Sequence, residues 1–147
     1  MITRRRSDPA RLRSGLGKLL AAHPEVDFAY LFGPLASGLA YYDLEVAVFL
    51  RPAPALAAVS DYEMDLSAEL TRTLQVDVDV HVLNHAPRGF QHAVLQGRLL
   101  LVRDEERLID FFRGVGPDPM ELAYLDDLAL RKVLGAQPLP PGVETPG

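Results

Sequence analysis

The chain has 147 residues, of which 48% are apolar and 24% are charged, and its formal net charge is -5 at pH 7. These values match one globular domain with a single core, and they exclude the disordered, collagen-like and coiled-coil classes. The negative charge also argues against general nucleic-acid binding.

Two absences in the sequence narrow the chemistry and the expected location. The chain has no cysteine, which excludes disulfides, thiolate zinc sites and cysteine nucleophiles. No apolar run approaches the ~20 residues that span a bilayer, and no apolar run near the N-terminus has the form of a signal peptide. We therefore expect a cytoplasmic protein without a membrane partner.

Hydrophobic periodicity, with proline and glycine at the boundaries, predicts five helices and four strands. In chain order these are a helix at 8–22, strands at 26–32 and 43–50, a helix at 56–74, a strand at 76–83, a helix at 87–97, a strand at 99–102, and helices at 104–112 and 119–134. Residues 35–42 suit a turn with a short helix. The pattern predicts an α/β (α+β) fold, a small mixed sheet flanked by helices, over residues 1–136. The prolines that follow predict a flexible tail at 137–147.

Two of these elements have especially clear patterns. In the helix at 56–74, residues at three-to-four spacing are predicted to face the core, namely Leu56, Val59, Glu63, Leu66, Leu70 and Leu74. In the strand at 76–83, strict alternation places the valines on one side and Asp77, Asp79 and His81 on the other.

Carboxylates alternate on a second strand as well. Asp43 and Glu45 lie two residues apart, so they are predicted to point to the same side of their strand. If this strand neighbours the one that carries Asp77 and Asp79, three or four carboxylates converge on one small volume. Such a cluster is costly unless a cation occupies it, and Mg²⁺ prefers carboxylate and phosphate oxygens. The alternative is that these are solvated residues on the polar faces of half-buried strands.

Three stretches of the sequence resemble the motifs of one family. Leu31-Phe32-Gly33, with Ala36, Gly38 and Ala40, is similar to its strand, phosphate loop and short helix, and Asp43-Leu44-Glu45-Val46-Ala47-Val48 is similar to its Asp-x-Asp strand. Its third-carboxylate strand and the segment beyond are matched by Val78-Asp79-Val80-His81-Val82-Leu83-Asn84, Ala86-Pro87, Val94-Leu95 and Gly97-Arg98-Leu99-Leu100. The family is the minimal nucleotidyltransferases of the polymerase β superfamily, which includes antitoxins paired with HEPN-domain toxins. The resemblance covers residues 10–113.

The resemblance implies a site, a reaction and a partner. The residues it places around ATP and Mg²⁺ are Gly33, Pro34, Ser37 and Gly38 for the nucleotide, and Asp43, Glu45 and Asp79 for the metal and catalysis. The implied reaction is attack of a hydroxyl on the α-phosphate of ATP with release of pyrophosphate, catalysed mainly by positioning and fixed charge. The implied partner is a HEPN-type toxin that receives the AMP. Asp77 faces the same way as Asp79 and is the alternative third carboxylate.

The sequence departs from the family pattern within the nucleotide loop and the carboxylate motif. Pro34 replaces a serine, which removes a hydroxyl and a backbone N–H that would donate to phosphate. Leu35 and Ser37 stand where the family often has arginine, the loop is shorter, and Glu45 replaces an aspartate. Two hypotheses follow. The chain is either an antitoxin that transfers AMP to its toxin, or a catalytically impaired protein of the same fold that neutralises its partner by contact alone.

Overall fold

The structure, a computed structural model, describes residues 9–33 and 43–116. In chain order its elements are α1 (Pro9–Ala21), β1 (Val26–Phe32), β2 (Asp43–Leu50), a 3-10 turn (Leu56–Ala58), α2 (Val59–Leu74), β3 (Asp77–Val82), α3 (Arg88–Val94), β4 (Arg98–Val102) and α4 (Glu105–Val115). The predicted helices and strands within this part of the chain are confirmed, with ends that differ by a few residues. The predictions for 35–42, 119–134 and the tail at 137–147 lie outside the described residues.

The four strands form one mixed sheet with the order β3-β2-β1-β4. β1 is antiparallel to both β2 and β4, whereas β2 and β3 are parallel. A parallel pair needs a crossover connection, and α2 supplies it between β2 and β3. The predicted fold class, a small mixed sheet with helices, is therefore confirmed.

The chain divides into two compact units, Met1–Arg103 and Asp104–Gly147. The sheet and helices α1 to α3 belong to the first unit, and α4 belongs to the second. In α4, Asp104 caps the N-terminus by accepting hydrogen bonds from the backbone N–H groups of Glu106 and Arg107. The predicted domain boundary after residue 136 lies beyond the described residues and stays a prediction.

The core of the first unit lies between one face of the sheet and helices α1 and α2. Its buried residues are Leu12, Leu16, Leu20, Val26, Ala29, Leu31, Leu44, Val46, Val48, Leu50, Leu66, Leu70, Val78, Val80 and Val82. The opposite face carries aromatic side chains, and α3 contacts β1 there through Phe90 and Phe32. The two faces therefore differ, one aliphatic and covered by the long helices, the other aromatic and polar.

One residue predicted to face the core does not do so. Leu56 lies in the 3-10 turn that precedes α2, and it is 72% exposed. The helical stripe begins only at Val59, because the chain does not adopt α-helical geometry before that residue. Among residues 9–33 and 43–116, no helix has the combined length and apolar character that crossing a membrane requires.

Candidate functional site

The carboxylates predicted to form a site lie on neighbouring parallel strands. In the β2–β3 register, Glu45 is opposite Asp79 and Asp43 is opposite Asp77. Asp77 and Asp79 are exposed, whereas the valines that alternate with them are buried on the core face. Because opposite residues of paired strands project from the same face, Glu45 and Asp79 share the face away from the core. The two strands are therefore neighbours, which is the condition on which the carboxylate cluster depends.

Asp43 is the first residue of β2, two positions before Glu45. The part of the chain that the structure describes includes its backbone but not its side chain. Among the side chains that are described, no three from histidine, aspartate and glutamate are grouped so as to hold a metal ion. A complete three-carboxylate site thus depends on Asp43, and its assignment stays a prediction.

Gly33 follows Phe32, the last residue of β1, and lies beside Glu45. It has a φ of 87°, a backbone conformation that glycine adopts without steric cost. A Cβ atom at this position would lie 3.5 Å from Cγ of Glu45, so the chain turns directly over that side chain. The other residues predicted to bind nucleotide, Pro34, Ser37 and Gly38, lie outside the described residues.

His81 contacts Glu45 directly. Its Nε2 lies 2.7 Å from Oε2 of Glu45, and the two side chains are 39% and 29% exposed, which leaves the pair accessible from solvent. The sequence placed His81 on the carboxylate face without giving it a role. The signal for it was the alternation of Asp77, Asp79 and His81, which puts the imidazole in line with the carboxylates.

Two phenylalanines surround the imidazole of His81. The ring centroid of Phe32 lies 5.7 Å from that of His81, and the centroid of Phe90 lies 5.6 Å from it. The two phenylalanine rings also meet edge to face, with centroids 5.5 Å apart and planes at 88°. Aromatic contacts of this geometry restrict ring orientation, so three strands and α3 jointly fix His81.

An open depression of about 550 Å³ is lined by residues of α2 and of β3, which is an edge strand of the sheet. It is lined by Ser67, Ala68, Thr71, Arg72, Asp77, Val78 and Asp79. Both β3 carboxylates are therefore reachable from solvent beyond the edge of the sheet. This leaves space beside Asp79 for a molecule larger than water.

The chemistry of the donor set fits a hard divalent cation. Glu45 and Asp79 offer carboxylate oxygens from adjacent strands, and Mg²⁺ is held in proteins by one or two carboxylates plus water and phosphate oxygens. Within the described residues, the carboxylate of Glu45 contacts Nε2 of His81.

Comparison with known proteins defines the class of the fold and the family. The four-stranded mixed sheet with its helices is a nucleotidyltransferase-like fold. Residues 15–106 match the family model described as polymerase beta, nucleotidyltransferase, which spans more than half of the chain. The chain therefore belongs to the polymerase β nucleotidyltransferase family. No curated protein matches the sequence significantly.

Solved structures agree with this fold. A chain in the rebuilt structure of a tri-AMPylated Shewanella oneidensis HEPN toxin with an MNT antitoxin matches at a TM-score of 0.57 and 20% identity, covering 86% of this chain and 95% of that chain. A toxin–antitoxin complex with AMP-PNP matches at 0.58 and 21% identity, covering 83% and 94%. An MntA–HepT toxin–antitoxin complex matches at 0.55 and 20%, covering 85% and 94%. At these identities the likeness shows a shared fold.

Proposed function

We propose that this protein is a minimal nucleotidyltransferase-type antitoxin that transfers AMP from ATP to a hydroxyl group of a HEPN-type toxin, with Mg²⁺ as cofactor. The observation that carries the proposal is the register of Glu45 opposite Asp79 on parallel strands, in a chain of the polymerase β nucleotidyltransferase family. Gly33 at the end of β1 supports it, because the chain turns beside Glu45 at the point where the family's phosphate loop begins. The use of ATP fits the cytoplasmic location expected from the sequence.

The proposed residue roles follow the sequence assignment. Asp43, Glu45 and Asp79 hold the metal and act in catalysis, and the nucleotide is held by Gly33, Pro34, Ser37 and Gly38. When bound, Mg²⁺ supplies positive charge that offsets the charge of the phosphates. The acceptor oxygen forms a bond to the α-phosphorus as the bond to the pyrophosphate oxygen breaks, and the hydroxyl proton is released. Asp79 borders the open depression beside β3, so an acceptor side chain has room to approach from there.

The proposed substrate and partner rest on the structural neighbours. One of them contains an AMPylated HEPN toxin bound to an MNT antitoxin, which supports AMP transfer to a toxin as the reaction. Another contains AMP-PNP, which supports ATP as the donor. The structural match extends over 95% and 94% of those two chains, so it is not confined to a short shared segment.

Titration calorimetry with AMP-PNP, with and without Mg²⁺, tests the nucleotide site. We expect binding that depends on Mg²⁺ and that is lost in Asp43→Asn, because that variant removes a proposed metal ligand without changing side-chain size. Asp65→Asn is the matched control, since Asp65 is exposed on α2 and its replacement changes the net charge by the same amount. Loss of binding in both variants, or no binding by the wild-type protein, would contradict the proposed site.

A second experiment tests the transfer itself. The protein is incubated with ATP, Mg²⁺ and a purified HEPN toxin, and the toxin is analysed by mass spectrometry for added AMP. We expect AMP on a toxin hydroxyl with the wild-type protein and none with Asp43→Asn. A toxin that is neutralised by both proteins without any added AMP would favour neutralisation by contact alone.

A further inference from the structure

We propose that His81 is a positioning residue for Glu45, which it holds in the orientation required for metal binding. The inference rests on the proposed function, because it assigns the second residue of the carboxylate motif to the metal site. The sequence pattern places His81 on the carboxylate face and gives it no role. The evidence for the positioning role is the arrangement of residues from three strands around the side chain of Glu45.

The first step is the contact itself. In the β2–β3 register His81 is opposite Ala47, and Asp79 is opposite Glu45. His81 therefore reaches Glu45 diagonally across the strand pair, and the 2.7 Å distance from Nε2 to Oε2 is that of a strong hydrogen bond. An ionised carboxylate only accepts hydrogen bonds, so the imidazole donates through Nε2 to Oε2 of Glu45. The proposal assigns the other carboxylate oxygen to the cation.

The second step is that the donor is itself fixed. Phe32 and Phe90 flank the imidazole at centroid distances of 5.7 and 5.6 Å. In the sheet, Phe32 of β1 is paired with Glu45 of β2. Phe32 therefore orients His81, and His81 orients the residue with which Phe32 is paired. A hydrogen bond from a ring held in this way restricts the carboxylate more than one from a mobile side chain would.

The third step concerns the length of glutamate. Compared with aspartate, Glu45 has one more rotatable bond, and a longer side chain loses more conformational freedom when it binds a metal. Gly33 leaves room beside Glu45, since only an added Cβ atom there would come within 3.5 Å of Cγ of Glu45. The contact with His81 therefore restrains Glu45 at its carboxylate. This contact orders a ligand that would otherwise have to be ordered by the metal.

Partners that orient a ligating group commonly change metal affinity by 10-fold to 100-fold when they are removed. We therefore expect His81→Ala to weaken Mg²⁺ affinity by about 10-fold to 100-fold, measured by titrating Mg²⁺ into the protein with AMP-PNP. His81→Gln should restore most of the affinity, because its amide N–H reaches the position of Nε2. His85→Ala is the matched control, since His85 is an exposed histidine that contacts the carbonyl oxygen of Pro54 and should bind Mg²⁺ like wild type.

The Glu45→Asp background separates positioning from a merely structural role. The shorter carboxylate no longer reaches His81, so His81→Ala should change Mg²⁺ affinity little in that background. An equal loss in both backgrounds, or unchanged affinity in His81→Ala, would overturn the role of His81. If the wild-type protein and His81→Ala bind Mg²⁺ and AMP-PNP equally well, this inference is overturned and the proposed activity is not. Wild-type protein that binds neither would overturn the proposed activity and this inference with it.

Discussion

The hydroxyl of Thr71 in α2 hydrogen-bonds the backbone of Val78 in β3 in both directions. The N–H of Val78 donates to Oγ1 of Thr71 at 3.0 Å, and Oγ1 of Thr71 donates to the carbonyl oxygen of Val78 at 3.3 Å. β3 is an edge strand, so these backbone groups face away from β2. The side chain of Thr71 therefore makes hydrogen bonds to the backbone of β3 that a neighbouring strand would otherwise make.

The same relationship repeats along β3 at intervals of four helix residues. The N–H of Val80 donates to Oγ of Ser67, and the N–H of Val82 donates to Oε2 of Glu63, both at 2.8 Å. Residues four apart lie on one face of a helix, so α2 presents one acceptor to each of the three outward N–H groups. Open edges invite pairing with other chains, and α2 covers this one.

Ser67→Ala tests this edge contact. The substitution leaves the N–H of Val80 without its side-chain acceptor, and a lost hydrogen bond of this kind costs ~1–3 kcal/mol. We expect a decrease of that size in the free energy of unfolding, measured by urea denaturation. Ser60→Ala is the control, because Ser60 is exposed at the start of α2, and it should lie within ~0.5 kcal/mol of wild type. Equal stability of both variants would contradict the contact.

Gly97 is predicted to tolerate no side chain. A Cβ atom there would collide with the carbonyl oxygen of Leu31 and would lie 3.1 Å from Cα of Phe32, both of which are backbone atoms of β1. Backbone cannot rotate away as a side chain can, so Gly97→Ala should lower the free energy of unfolding by at least ~1–3 kcal/mol. Thermal and urea denaturation measure the change.

Gly89 provides the matched control for this prediction. It lies in α3, and a Cβ atom on it would meet no other atom within 4 Å. Alanine is favoured over glycine in helices by ~1 kcal/mol, so Gly89→Ala should be neutral or slightly stabilising. A destabilisation as large as that of Gly97→Ala would show that the effect at Gly97 is not steric.

The helices and strands were predictable because their periodicity is local, whereas the contacts of α2 were not. Glu63 was predicted to face the core because it falls in the apolar stripe. The structure explains its position, since its carboxylate accepts a hydrogen bond from the N–H of Val82. Nothing in the spacing of Ser67 and Thr71 indicates a strand edge beside them. That arrangement depends on the crossover geometry, which the sequence pattern does not specify.

The shared face of the carboxylates was predictable, but the pairing across strands was not. A shift of the β3 register by two residues keeps every side chain on the same face, so alternation alone cannot decide whether Asp77 or Asp79 lies opposite Glu45. The structure places Asp79 there. The contact between His81 and Glu45 depends on the same register. The sequence alone therefore does not predict the contact between His81 and Glu45.

Arg103 joins the end of α1 to β1, and its replacement should be costly. Its Nε donates to the carbonyl oxygen of Val26 at 2.6 Å, and its Nη2 donates to those of Ala21 and His23 at 3.0 and 2.9 Å. Lysine retains the charge but lacks the planar set of donors that reaches all three oxygens. We expect Arg103→Lys to lower the free energy of unfolding by ~1–3 kcal/mol, measured by urea denaturation.

Arg88→Lys is the control for the Arg103 variant. Arg88 is exposed at the first position of α3, so the same change there should have an effect within ~0.5 kcal/mol. If both variants unfold at the same urea concentration as wild type, the three carbonyl contacts of Arg103 contribute nothing measurable to stability.

Glu25 makes the free energy of unfolding depend on pH in the acid range. Burial acts to raise the pKa of Glu25, but hydrogen bonds from backbone N–H and from Tyr62, with the charge and hydrogen bond of His23, outweigh it and hold the pKa below its usual value. The Tyr62 hydroxyl donates to Oε2 of Glu25 at 2.8 Å. Because the folded pKa is lowered, this contribution to stability is present above the unfolded pKa of about 4.3 and is lost as pH falls through the folded pKa.

Tyr62→Phe removes one of the interactions that lower the pKa of Glu25. We therefore expect a smaller loss of stability between neutral and acid pH than in wild type, measured by urea denaturation at a series of pH values.

At alkaline pH, titration of Tyr62 makes stability depend on pH with the opposite sign. Burial, followed by the hydrogen bond to Glu25, raises the pKa of Tyr62, so its contribution is present below the unfolded pKa of about 10 and is lost as pH rises through the folded pKa.

A second variant separates Glu25 from other carboxylates that titrate in the same range. Glu25→Gln removes the titrating group, so adding Tyr62→Phe in that background should leave the slope of stability against acid pH unchanged. If the slope still changes, Tyr62 acts through another group. Glu69 is the first to examine, because its Oε2 lies 2.7 Å from Nε2 of His23, which also contacts Glu25 at 3.4 Å.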